Sequence, residues 1–313
     1  MKITAIAGGV GGAKLVEGLA QVLLPENLCV IVNTGDDFDH LGLYISPDLD
    51  TVCYTLAGLS NDMTGWGRTD ESWNVLTEIK RLNGPGWFNI GDKDIATHLE
   101  RTRRLKLGDN LSEITQSFCG SWGVSASVYP MSDKPIHTMI NTLEYGWIPF
   151  QEYFVKYQCL PKMLSLRFDG VEGAVLPEKA KENLLTSDWV VICPSNPFVS
   201  IEPILKIKDV EAILEKKKVL AVSPIINGNA LKGPAAKMFL EMGITPSAFE
   251  VLKRYNNFVD VFVVERGDGA DVKSKNQWDI MIVEADTIMR NKEDKKHLAE
   301  KILEVMGFFN GGR

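Results

Sequence analysis

The sequence predicts an α/β chain: a Rossmann-like, doubly wound parallel sheet that carries a β-rich insertion. Three observations support this. A strand–glycine–helix unit, KITAIAGGVGGAKLVEGLAQVLL, opens the chain. Continuous apolar runs such as LCVIV and WVVIC recur between amphipathic stretches, as in strands buried on both faces. From about Val124 to Val175 the residues turn β-like and alternating, as in IHTMINTLEYGWIPFQEYFV, with Gly and Pro between them.

The elements follow in order. KITAIA is the first strand, and the glycines after it lead into an amphipathic helix. LCVIVN (Leu28 to Asn33) is the second strand. Beyond an aspartate-rich loop, TVCYTLAGLS reads as a short helix with Asp48 or Asp50 near its N-terminus. Asp70 starts a helix, ESWNVLTEIKRLN, that Gly84 ends. IGDKDIATHLERTRRLKLG is a further helix, acidic in its first turn and basic in its last, as the helix dipole prefers. After the insertion, DWVVICPSNP and VLAVSPIINGNALKGP are strands running into loops, with the helix VEAILEKKK between them. Helices around Ala236 and Phe249, strands in FVDVFVVERGD and WDIMIVEA, and a helix from about Glu293 to Met306 complete the chain. Residues 1–123 and 176–313 are therefore expected to form a nucleotide-binding core. Residues 124–175 would form an inserted lobe and the place to look for a dimer interface.

Composition narrows the function. The 313 residues can bury a sizeable core, and 45% apolar with 24% charged residues is ordinary for a globular protein. A net charge of −7 disfavours nucleic acid and anionic membranes as partners. A phosphate-bearing ligand must then be held by local features or by a bridging cation. Five scattered cysteines without a C-x-x-C pair read as buried thiols in a reducing compartment. No basic leader with an apolar core opens the sequence, and no apolar run approaches the ~18 residues of a membrane span, so a cytoplasmic protein is expected.

GGVGGAK (Gly8 to Lys14) sits between strand and helix, where free N–H groups and the helix dipole can hold a phosphate. Its spacing fits neither G-x-G-x-x-G nor the P-loop, which leaves a tight ligand-free turn as the alternative. Two loops, PSNPFVSIEP (Pro194 to Pro203) and SPIINGNALKGPA (Ser223 to Ala235), leave the carboxyl ends of strands. There they would face the ligand crevice of an open sheet with neutral hydrogen-bonding groups.

The stretch VNTGDDFDHLGLYISPDLDTVCY gathers five aspartates with no lysine or arginine among them. One acidic residue would suffice for a ribose hydroxyl, whereas several suggest Mg²⁺, which pairs protein carboxylates with substrate phosphates. Asp36, Asp37 and Asp50 are assigned to ligand or metal contact, with Asp36 and Asp50 as metal and catalytic candidates. Asp39 and Asp48 are assigned to turn and cap roles. His40 and His98 lack metal-ligand spacing to another His or Cys, which argues against zinc.

Taken together, AGGVGGAKL, VNTGDD, SPDLDTVCYTL, GWGRTDESW, IGDKDIATH, PSNPFVSIEPI and AVSPIINGNALKGPA resemble the 2-phospho-L-lactate transferases of coenzyme F420 biosynthesis, in order and over essentially the whole chain. The resemblance implies a guanosine diphosphate ester carrying lactate or enolpyruvate as donor. It implies the deazaflavin FO (7,8-didemethyl-8-hydroxy-5-deazariboflavin) as acceptor, with Mg²⁺ assisting, GMP leaving and a homodimer as the assembly. It places Asp50 at the FO and metal site, Gly9, Gly11, Gly12 and Lys14 near the phosphates, and Ser195, Asn196 and Ser200 around the guanosine. Asn89 stands where archaeal members often carry an FO-contacting lysine, and GGVGGAK leans toward bacterial forms. A related family of nucleotide-sugar-binding gluconeogenesis factors shares the glycine and aspartate regions and supplies the alternative of a regulator. An NAD-dependent oxidoreductase is disfavoured by the glycine spacing and the surplus aspartates.

Overall fold

The computed structural model describes residues 1–61, 63–231 and 233–311. Lys232, within the INGNALKGPA motif, lies outside the described residues. The first half runs β1 (Ile3–Ala7), α1 (Gly9–Val22), β2 (Leu28–Val32), β3 (Phe38–His40), β4 (Leu43–Ile45), α2 (Pro47–Leu56), α3 (Asn74–Arg81), α4 (Asp92–Leu107), α5 (Leu111–Ser121) and β5 (Ser127–Pro130). Then come β6 (His137–Thr142), β7 (Gly146–Pro149), β8 (Met163–Asp169), α6 (Glu178–Thr186) and β9 (Trp189–Ile192). The rest is α7 (Glu202–Leu205), α8 (Val210–Leu214), β10 (Lys218–Val222), β11 (Ile225–Ile226), β12 (Asn229–Ala230), α9 (Ala235–Glu241), α10 (Ala248–Tyr255), β13 (Val261–Glu265), α11 (Gly269–Lys275), β14 (Met281–Ala285) and α12 (Lys292–Gly311).

Seven strands form one parallel sheet in the order β14-β13-β10-β9-β1-β2-β5. Burial explains the strand composition. Every residue of β1, β2 and β9 is buried, and apolar layers cover both faces of the sheet. The chain winds outward from β1 through β2 to β5 on one side, and from β9 through β10 and β13 to β14 on the other. The reversal therefore falls between β1 and β9, where a crevice opens beyond the strand ends. The doubly wound expectation holds.

The insertion is smaller than expected. Its three strands pair antiparallel as β7-β6-β8, but Ser127–Pro130 pairs parallel with β2 as the edge of the main sheet. The boundary thus moves from residue 124 to beyond Pro130, because a short edge strand has the same alternating texture as the lobe beside it.

The helix expected from Asp70 begins only at Asn74. The Asp92 carboxylate accepts from the backbone N–H groups of Asn74 and Val75, while Glu71 accepts from those of Lys93 and Asp94. Each chain segment caps the other's helix, so residues 71–73 stay outside α3. No helix among the described residues is long and apolar enough to cross a membrane.

Candidate active site at the strand switch

A cavity of about 600 Å³ lies at this crevice. Glycines 8, 9 and 11 and Lys14 line it from α1, Asp36 from the loop after β2, and Asp48, Asp50 and Tyr54 from α2. The loops after β9 and β10 close one side, contributing Ser195, Asn196, Ser200 and Ser223. Trp66, Phe88, Phe150 and Phe154 add aromatic surface to the lining, and the exposed Asn89 also borders it. The lining thus combines backbone N–H groups and hydroxyls with flat apolar surface.

The glycine loop is closely packed. Gly9 takes φ +61°, the left-handed conformation that glycine adopts without strain. Gly12 does not line the cavity; it lies behind the loop, where a Cβ would come 2.5 Å from Ser195 Oγ. The Ser195 hydroxyl accepts from Gly8 N–H at 3.1 Å, tying the two loops across the switch point. Asn196 instead caps its own loop by accepting from Phe198 N–H. Lys14 Nζ donates to the carbonyl of Met289 at 2.6 Å.

The aspartates separate into three settings. Asp48, assigned from the sequence to a cap of its own helix, faces the glycine loop. It accepts from Asn33 Nδ2 at 2.9 Å, and a Cβ built on Gly8 would lie 2.5 Å from its Oδ2. It therefore borders the N-terminal end of α1, while Gly9, Gly11 and Lys14 still line the cavity where a substrate phosphate is expected. Asp36 is buried beside it, with Oδ1 lacking a hydrogen-bond partner. Burial, then the charges of Asp48 and Asp37, push the Asp36 carboxyl well above its ordinary range, and burial also raises Asp48. Asp37, expected to touch substrate, does not line this cavity. It faces a smaller neighbouring one and accepts from Ser46 Oγ at 2.7 Å, which joins the β2 loop to the start of α2. Asp39 is exposed, as expected, but it is a strand residue of β3 opposite Tyr44 of β4 and not a turn residue.

Asp50 points the other way, toward α4. Its carboxylate binds both terminal nitrogens of Arg101, with NH1 to Oδ2 at 3.0 Å, and His98 Nδ1 lies 3.7 Å from Oδ2. Arg101 NH1 also lies 3.3 Å from His98 Nδ1. A guanidinium only donates, so Nδ1 accepts and Nε2 carries the hydrogen, facing Asp94 Oδ1 at 3.5 Å. Tyr54 donates to that same oxygen at 2.7 Å. Burial opposes the Asp94 charge, but His98 and Tyr54 outweigh it and hold the carboxyl below its usual range.

Asp50, Asp94 and His98 offer ligand atoms that all lie within 4.8 Å of one another. Two carboxylates suit Mg²⁺, and a nearby imidazole does not prevent it. Asp94, His98 and Arg101 were missed as site residues. Their signal was present in DKDIATHLERTRR: positions i, i+4 and i+7 fall on one helix face.

The profile of the 2-phospho-L-lactate transferase CofD family matches residues 3–304 of the chain. The chain belongs to this family. Relatives within the CofD family include 2-phospho-L-lactate transferases of Methanocaldococcus jannaschii (37% identical, 97% of this chain and 98% of the relative) and Methanopyrus kandleri (36%, 98% and 98%). A phosphoenolpyruvate transferase of Streptomyces griseus is 36% identical over 97% of this chain and 98% of its own. Archaeal and bacterial members are thus equally similar. A solved structure of a UPF0052-family protein from Bacillus halodurans superposes with TM-score 0.62 at 13% identity, covering 96% of this chain and 98% of the other, and shows the CofD fold alone.

Proposed function

We propose that the protein transfers a 2-phospholactyl or phosphoenolpyruvyl group from a guanosine diphosphate ester to the terminal hydroxyl of FO, releasing GMP, in coenzyme F420 biosynthesis. The supporting observation is the cavity's mixed lining: hydroxyls and backbone donors from the switch-point loops, aromatic side chains, and carboxylates. A nucleotide suits the hydroxyls and backbone donors, and a planar deazaflavin the aromatic surface. The regulator alternative is disfavoured by the family match, whose profile is that of a transferase and spans residues 3–304.

In this reading the guanosine lies against Ser195, Asn196 and Ser200, and the diphosphate beside Gly9, Gly11 and Lys14. The deazaflavin rests between Trp66 and Phe150, with Asn89 at its edge. Asp36 faces the cavity, and its raised pKa makes its carboxylate form a stronger base than an ordinary aspartate, so that ionised form would accept the hydroxyl proton. The FO oxygen then bonds to the phosphorus that carries the organic acid, the bond from that phosphorus to GMP breaks, and the proton remains on Asp36. Asp50 and Asp94 would hold Mg²⁺, which offsets charge on the transferring phosphate when bound; Asp36, expected to share the ion, is not among the groups gathered within 4.8 Å. Tyr54 keeps Asp94 in place, and the aromatic walls exclude water from the phosphorus.

The test mixes purified protein with FO, Mg²⁺ and each donor, following GMP release and a deazaflavin product of altered retention. Absence of both with either donor rejects the reading, and chelation of the metal is expected to stop turnover. A homodimer is proposed with it, through the lobe where Leu143, Tyr145 and Leu164 are exposed. Light scattering at the mass of one chain would reject that assembly.

A further inference from the structure

Arg101 does not line the cavity, yet it is 2% exposed and grips a residue that does. Burying a guanidinium is costly unless it is paired, and an apolar side chain of similar volume could brace α4 against α2 as well. What only arginine supplies is a planar fork of donors matched to a carboxylate. Both terminal nitrogens meet Asp50, and NH1 also reaches toward the carbonyl of Tyr44 at 3.5 Å. The guanidinium is thereby fixed from β4 as well as from its own helix.

Each carboxylate oxygen accepts more than one bond. Two donors from one side set the plane of the Asp50 carboxylate and leave its remaining lone pairs for the cavity. The same positive charge stands within reach of the Asp50, Asp94 and His98 cluster, where it opposes a second cation.

We propose that Arg101 is a positioning residue that fixes the orientation of the Asp50 carboxylate and, as a resident positive charge, limits how tightly that cluster binds a divalent cation. The inference rests on the reading of Asp50 as an ion-binding group in the transferase.

The test uses Mn²⁺ as probe, with free ion measured by electron paramagnetic resonance, alongside steady-state kinetics on the full-length protein. In Arg101→Met, removal of the opposing charge should tighten Mn²⁺ binding about tenfold, while turnover falls more than ~100-fold. Arg101→Lys keeps the charge and loses the fork. Its Mn²⁺ affinity should stay within about threefold of wild type while kcat drops ~10–100-fold at unchanged donor KM. Added guanidinium ion should restore part of the turnover of Arg101→Ala. A mere brace between helices predicts none of this pattern. Mn²⁺ binding that is no tighter in Arg101→Met, or full kcat in Arg101→Lys, overturns the proposal. If Arg101→Met does not fold, the lysine variant decides alone. If the wild type shows no transfer activity, the function reading fails, while the Mn²⁺ comparison still reads the role of Arg101.

Discussion

Gly11 and Pro194 are packed so closely that a Cβ built on Gly11 would lie 2.3 Å from the Pro194 carbonyl oxygen. The first turn of α1 is wedged against the loop after β9, and the obstacle is backbone, which cannot rotate away. Gly11→Ala must therefore push apart the two loops that define the switch point, at about 1–3 kcal/mol or more. Gly120, exposed on α5 with nothing within 4 Å of a Cβ, is the control. There alanine should stabilise by roughly 0.5–1 kcal/mol. Urea unfolding of both variants measures the contrast. Equal midpoints would show that the loops separate without cost.

Asp50→Asn should reduce turnover by orders of magnitude, and it should also cost stability. A carboxylate that served only to hold Mg²⁺, as expected from the sequence, would leave the melting midpoint near wild type when replaced. The structure instead pairs it with a buried arginine, and removing one partner of such a pair costs about 3–5 kcal/mol. A calorimetric midpoint within a degree of wild type would contradict the buried pairing.

Asp36→Asn should separate stability from activity. The folded-state pKa of Asp36 is raised, so the fold favours its neutral form. That contribution is present in full below the ordinary value of 3.8 and is lost as pH rises through the folded value. Above the ordinary value, folding the wild type means either protonating Asp36 or burying its charge, a cost that the amide does not bear. The variant should melt a few degrees higher than wild type at pH 8, lose that advantage near pH 4, and have little activity. A variant less stable than wild type at pH 8 would reverse the sign.

The sheet was legible because β1, β2 and β9 are apolar without alternation, a pattern that burial on both faces enforces. The glycine loop and the Pro194–Ser200 loop were legible because each follows such a strand. Asp48 was not. Its place one residue into α2 suits an N-terminal cap of its own helix, and only the crossing of α2 beside α1 turns it onto Gly9. Arg101 was hidden for another reason: ERTRR reads as a basic helix end facing solvent, and only Arg103 and Arg104 follow that pattern, pairing with Glu100 and Asp109. Which of three nearby arginines turns inward is decided by tertiary contact with Asp50.

His40 offers a test of the aromatic wall that stands beside the site. It is buried against Phe38, Trp87 and Phe88, and its Nε2 lacks a hydrogen-bond partner. Burial, and then the neighbouring His98, lower its pKa from the ordinary 6.5. The sign is opposite to that of Asp36. The neutral imidazole contributes stability in full above about pH 6.5, and the contribution disappears as pH falls through the lowered folded value. His40→Phe keeps the ring and has nothing to protonate. Because the carboxylates titrate in both proteins, the quantity to follow is the difference in melting midpoint between variant and wild type. It should move in favour of the variant between pH 7.5 and pH 5. A difference that stays constant across that range would mean that His40 is charged without penalty, and the closed aromatic wall would have to be open to water.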